Sequence, residues 1–92
     1  MHFVYILYSS SLDKYYTGET SNLKLRLNHH NSSFYKNAFT TSADDWGLFY
    51  RIICKDVFQA RKIEKHIKSM KSRKYILNLK QYPNTVEKLL SS

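Results

Sequence analysis

At 92 residues and 11.0 kDa the chain is near the lower end of what one ordinary domain requires, so a single domain over 1–92 is expected rather than two. Its 42% hydrophobic and 15% aromatic content, with two glycines and one proline, excludes collagen-like, mucin-like and disordered classes. Fifteen Lys+Arg against seven Asp+Glu leave a net charge of +8 and a pI near 9.7, an excess that favours a polyanionic partner, either nucleic acid or an anionic membrane.

The chain opens on β-branched and aromatic residues, His2 to Tyr8, which is strand chemistry. The apolar stretch Phe3 to Tyr8 is short and lacks a preceding basic flank, so it does not read as a secretory signal. No segment approaches the length of a membrane span, and a cytoplasmic location is expected. Ser9 to Lys14 reads as a loop, and Tyr15-Tyr16-Thr17 as a second strand ending at Gly18; strands joined this closely predict an antiparallel hairpin. Ser21 is a good N-cap type for a helix running to about His30, which places Leu23, Arg26, Leu27 and His30 on one face and Leu25 on the other. Asn31 to Trp46 has no clear period and reads as a loop.

Gly47 to Lys55 is a third strand, whose nearly continuous apolar run predicts cover on both faces. Cys54 within it is the chain's one cysteine and reads as a small core residue; a disulfide framework and a Cys/His zinc cluster are both excluded. Asp56 caps a second helix with Gln59 at the capping-box position, and Ala60, Ile63, Ile67 and Met70 form its apolar stripe. A third helix is expected over Arg73 to Leu79, and Pro83 opens a short terminal one through Leu90. The order β-β-α-β-α followed by further helix means an α+β fold, a small sheet with helices packed against it. Three strands and no Gly-rich phosphate loop exclude a doubly wound nucleotide-binding fold.

Glu64 interrupts the apolar stripe of the second helix between Ala60 and Ile67. A carboxylate facing a core edge is costly unless it is paired or holds a cation, so Glu64 is either a salt-bridge partner, with Lys68 one turn on, or a functional carboxylate. Arg26 poses the same question: its stem can cover the core with its head in water, or its guanidinium can grip a carboxylate or phosphate bidentately. His30, one turn later, could be a ligand, a proton carrier or a helix-end cap. Four of the eight tyrosines, Tyr5, Tyr8, Tyr15 and Tyr16, crowd the hairpin; most must be packing residues, and one could be a general base beside a cation. The basic run Lys62, Lys65, Lys68, Lys71, Arg73 and Lys74 is either a solvated helix face or a track for a phosphate backbone.

Taken in order, these pieces resemble the GIY-YIG nuclease superfamily, in its small single-domain bacterial form. Phe3-Val4-Tyr5 looks like the first signature and Tyr16-Thr17-Gly18 like the second. Thr20-Ser21-Asn22-Leu23, Arg26-Leu27 and His30-Asn31 are similar to the family's first helix, and Ala60 to Lys68 to its glutamate-bearing helix. Thr40-Thr41, Trp46 and the basic Lys71 to Lys74 complete the likeness, over roughly residues 3–80 with a short helical extension over 81–92. Phe3 stands where the family has its first glycine and Thr17 where it has isoleucine; neither position supplies a catalytic group.

The resemblance implies a three-stranded antiparallel sheet flanked by helices, and divalent-metal-dependent hydrolysis of DNA phosphodiester bonds. It implies that Glu64 holds one Mg²⁺ or Mn²⁺ and that Arg26 grips the scissile phosphate. Tyr5 would be the general base, alone or with Tyr16, while His30 assists proton transfer. Gly18 would let backbone approach the substrate, with Lys68, Lys71, Arg73 and Lys74 on the nucleic acid. A structure-selective or weakly specific DNA endonuclease of repair or recombination is the leading expectation. The alternative is a binding module without turnover, or one activated by a partner or a homodimer; a membrane role is not expected.

Overall fold

The computed structural model describes residues 1–32 and 43–91; the Thr40-Thr41 match and most of the segment read as a loop lie outside the described residues. The elements are β1 (His2–Ser9), β2 (Lys14–Thr20), α1 (Leu23–Asn31), β3 (Trp46–Cys54), α2 (Val57–Met70), α3 (Arg73–Gln81) and α4 (Pro83–Ser91). The strands form one antiparallel sheet in the order β2-β1-β3. The α+β architecture expected from the sequence is the architecture found.

Because β1 lies between the other two, its consecutive residues Val4, Tyr5, Ile6 and Leu7 are all buried. The expectation for β3 is corrected. It is an edge strand, and Leu48 and Ile53 are 46% and 50% exposed. Its apolar run resembles that of a two-sided strand, but place in the sheet decides cover, and that follows from pairing rather than composition.

Strand alternation gives the sheet two unlike faces. Val4 and Ile6 look toward α2, α3 and α4 and join Ile52, Cys54, Ala60, Ile63, Ile67, Leu79 and Val86 in an aliphatic core. Tyr5 and Leu7 look the other way and join Trp46, with Leu23 and Leu27 of α1 packed against them. Met70 does not complete the α2 stripe, because it sits at the helix end, 44% exposed.

Local chemistry fixes the joints. Asn22, not Ser21, is the N-cap of α1; its Oδ1 accepts from Leu25 N at 3.0 Å. Asp56 caps α2 by accepting from Gln59 N at 2.8 Å, while the Gln59 Oε1 accepts from Lys55 N, one residue before the usual capping-box donor. Lys71 ends α2 in the left-handed region, φ 46°, and Ser72 starts α3 at once as its N-cap. At the hairpin end, Asp45 accepts from Ser9, Ser10 and Ser11, tying the β1–β2 turn to the start of β3. Those bonds hold its carboxyl well below the usual carboxylate range. No helix among the described residues is long and apolar enough to cross a membrane.

Candidate active site

Tyr5 and Gly18 are direct partners across the β1–β2 ladder. The absent side chain at Gly18 leaves the space that the Tyr5 ring fills: a Cβ there would lie 2.5 Å from Tyr5 Cζ and 3.0 Å from Cε1. The glycine is needed for close approach, since no glycine in the chain has positive φ. Laid across it, the Tyr5 ring reaches the end of α1, where its phenolic oxygen shares a 3.0 Å hydrogen bond with His30 Nε2. Both residues are nearly closed to solvent, Tyr5 at 1% and His30 at 3%. Burial, then the positive charge of Arg26, then His29, push His30 down to about 4, so its ring is neutral at pH 7.

The α1 terminus is itself pinned. The Asn31 side chain donates to the Trp46 carbonyl at 2.8 Å and accepts from Trp46 N at 2.7 Å. This amide clamps the helix to β3 next to His30. Sequence reading quotes Asn31 only as part of the resemblance and gives it no role; the pairing joins residues 15 apart across the loop, so no local pattern reports it.

Tyr16, two residues before Gly18 on the same face, extends the cluster. Its ring centroid is 5.0 Å from that of His30 and 6.4 Å from that of Tyr5. Lys68 Nζ lies 5.5 Å from the Tyr16 centroid and 3.2 Å from Glu64 Oε2. A continuous series of contacts thus runs from Glu64 through Lys68, Tyr16 and His30 to Tyr5. α1 and α2 pack on opposite faces of the sheet, so these groups meet around the β2 edge. Arg26 stands one turn before His30, half-buried, on the inward side of α1. The salt-bridge reading of Glu64 is therefore correct as geometry, and the bridge it makes belongs to the cluster.

The basic residues divide. Lys68, Lys71 and Arg73 line a groove of about 520 Å³ between β2 and the α2–α3 corner, and Lys14, which sequence reading missed, lines it too. Lys74 is exposed and does not line it. Arg73 is held by Asp13, through Nη1 to Oδ1 at 3.1 Å and a second bond to the Asp13 carbonyl, and its guanidinium lies 5.3 Å from the Tyr15 ring centre. Asp13 also accepts from Tyr8 Oη at 2.6 Å, which raises that phenol's pKa while the two partners lower the carboxyl's. A second cleft, of about 290 Å³, has Tyr5 in its wall together with Lys24 and Arg51. Arg51 pairs with Tyr5 across the β1–β3 ladder, a register the sequence does not reveal.

A tyrosine bonded to a neutral histidine, an arginine one turn away and a carboxylate across a strand edge form a set suited to an anionic centre. Compared with known families, residues 1–76 of the chain match the model of the GIY-YIG catalytic domain. The chain belongs to the GIY-YIG family. Comparison with curated proteins and with solved structures finds no significant match. GIY-YIG domains are usually endonucleases, act on DNA, and generally depend on a divalent metal. Among the described residues no three or more His, Cys, Asp or Glu side chains gather at one point for a metal. Glu64 is thus a single carboxylate, partly open to water, which fits Mg²⁺: that ion binds through one or two carboxylates and keeps water and phosphate oxygens as its other ligands. It does not fit a structural zinc.

Proposed function

We propose that this GIY-YIG protein is a divalent-metal-dependent DNA endonuclease. The supporting observation is the Glu64–Lys68–Tyr16–His30–Tyr5 series with Arg26 beside it. Glu64 is the residue that would hold Mg²⁺ or Mn²⁺, and the cation would supply charge stabilisation of the phosphoryl oxygens. Lys68 Nζ lies 3.2 Å from that carboxylate and offsets its charge. Arg26 binds the scissile phosphate and stabilises the negative charge that grows on it during attack.

Tyr5 is the proposed base for the attacking water. As its oxygen takes a proton from that water, its own proton passes along the 3.0 Å bond to His30 Nε2. A neutral ring accepts that proton, and a bound phosphate raises its affinity by offsetting the Arg26 charge that depresses it. The hydrogen bond to His30 supports Tyr5 as the base, alone or with Tyr16. Tyr16 forms the wall between the cluster and the basic groove. Action on branched or flap DNA in repair or recombination, in the cytoplasm, belongs to the same proposal.

The test is cleavage of labelled single-stranded, duplex, flap and four-way-junction DNA with Mg²⁺, Mn²⁺ or EDTA, wild type beside Glu64→Gln. Metal-dependent products that fall by at least about 10²-fold in Glu64→Gln, with DNA binding retained, are expected. Cleavage that persists in that variant overturns the assignment of Glu64. Salt-sensitive binding with no cleavage in any metal favours a binding module or a partner-activated subunit.

A further inference from the structure

The groove between the β2 edge and the α2–α3 corner has a composition that phosphate tracking does not require. Its cations are Lys14, Lys68, Lys71 and Arg73; Lys68 is paired with Glu64 and Arg73 with Asp13, and neither carboxylate lines the groove. Between them lie Ile67, Ile76 and the rings of Tyr15 and Tyr16, an apolar and aromatic surface. A phosphate gains nothing from such a surface; a nucleobase, with an apolar π-face and charged phosphates on either side, matches both parts. The groove is open to solvent along its length and offers about 520 Å³, room for one base to lie against its side chains. Ser72, the N-cap of α3, also lines it and brings the positive end of that helix to the same rim.

We infer that this groove is a nucleobase-binding slot that accepts an unstacked base of a single-stranded segment. Duplex DNA keeps its bases in the stack and offers the groove only phosphates. A single strand, a flap or a bulge can place a base in it. Tyr16 is shared between the groove and the Tyr5–His30 cluster, so a base seated here lies beside the phosphate to be cut. The inference deepens the nuclease reading and rests on it for the position of that phosphate; the slot itself is tested without catalysis. An acidic peptide lying along the outer edge of β2 would use the same cations, and is the outcome that would replace it.

The experiment measures binding by fluorescence anisotropy in EDTA with the wild-type chain and three labelled probes of equal length. These are a natural single strand, the same strand with abasic residues throughout, and the blunt duplex. The expected result is that the abasic strand binds at least about tenfold more weakly than the natural one, and the duplex more weakly still. Natural and abasic strands bound within about twofold of each other would overturn the slot, as would displacement of the strand by an equimolar polyglutamate peptide. Base-dependent binding without cleavage in metal would leave the slot standing and remove the nuclease reading. Cleavage with base-independent binding would do the reverse.

Discussion

The two faces of β1 are one residue apart in sequence and unlike in purpose. On one, Val4 and Ile6 join a buried cluster of aliphatic and small side chains from β3 and three helices, rimmed by Tyr15, Phe49, Tyr50 and Tyr75, a surface that supplies cohesion. On the other, Tyr5 meets a glycine, a histidine and a second tyrosine, with a smaller apolar cluster around Leu7 and Trp46. Each aliphatic side chain buried on the first face contributes roughly 1.5–3 kcal/mol, and that surplus allows the second face to hold polar groups in a nearly dry setting. Strand alternation thus separates the cohesive face from the face that carries the proposed site, and the proposal predicts that each can be damaged without the other.

The sharpest way to test that division is to cut the aliphatic face. Leu79→Ala, at a position with no exposure, should lower unfolding free energy by about 2–5 kcal/mol in denaturant titration. Cleavage assayed well below the unfolding temperature should change by less than about threefold. A large loss of activity in a folded Leu79→Ala would show that the faces are coupled.

The polar face should betray itself through pH. Unfolded histidine titrates at 6.5 and His30 in the fold at about 4, so between those values the unfolded chain binds a proton that the folded one does not. Stability therefore falls as pH drops from 7 toward 4, by on the order of 3 kcal/mol at most from this residue. Asp45 and Asp13, whose values are depressed, stabilise the fold above the ordinary carboxylate value of 3.8 and add to the loss only as pH falls below it. His30→Asn should flatten the slope above pH 4 in melting curves. An unchanged slope would locate the acid sensitivity elsewhere.

Gly18→Ala should act on both properties at once, costing about 1–3 kcal/mol by overpacking and lowering cleavage as the Tyr5 ring is driven from His30. The smallest effect belongs to a joint on the aliphatic side: Asp56→Ala should cost about 1 kcal/mol through the lost cap, with activity unaltered.

Much of this division was legible beforehand. The strand composition of residues 2–8, the cap at Asp56, the helix start at Pro83 and the stripe of Ala60, Ile63 and Ile67 are local patterns, and local patterns survive in a single sequence. Glu64 stood out because it broke such a stripe. What stayed hidden depends on pairing between distant segments. The edge position of β3, the Asn31 clamp on Trp46, the place of Arg51 opposite Tyr5 and the capture of Arg73 by Asp13 all join residues whose proximity only the register decides. Lys14 escaped notice because an isolated cation beside a turn carries no periodic signal.

The contact between Tyr5 and Gly18 also bears on how this sequence can drift. Removing the phenolic oxygen, as in Tyr5→Phe, leaves Cζ and Cε1 still 2.5 and 3.0 Å from any new Cβ. With Tyr5 as the proposed base, a lineage that gave up catalysis by that single step would remain bound to glycine at the second signature. Only loss of the whole ring frees the position. The glycine is thus a record of an aromatic ring at residue 5, and a retired descendant would go on displaying its ancestor's signature long after the reaction had ceased.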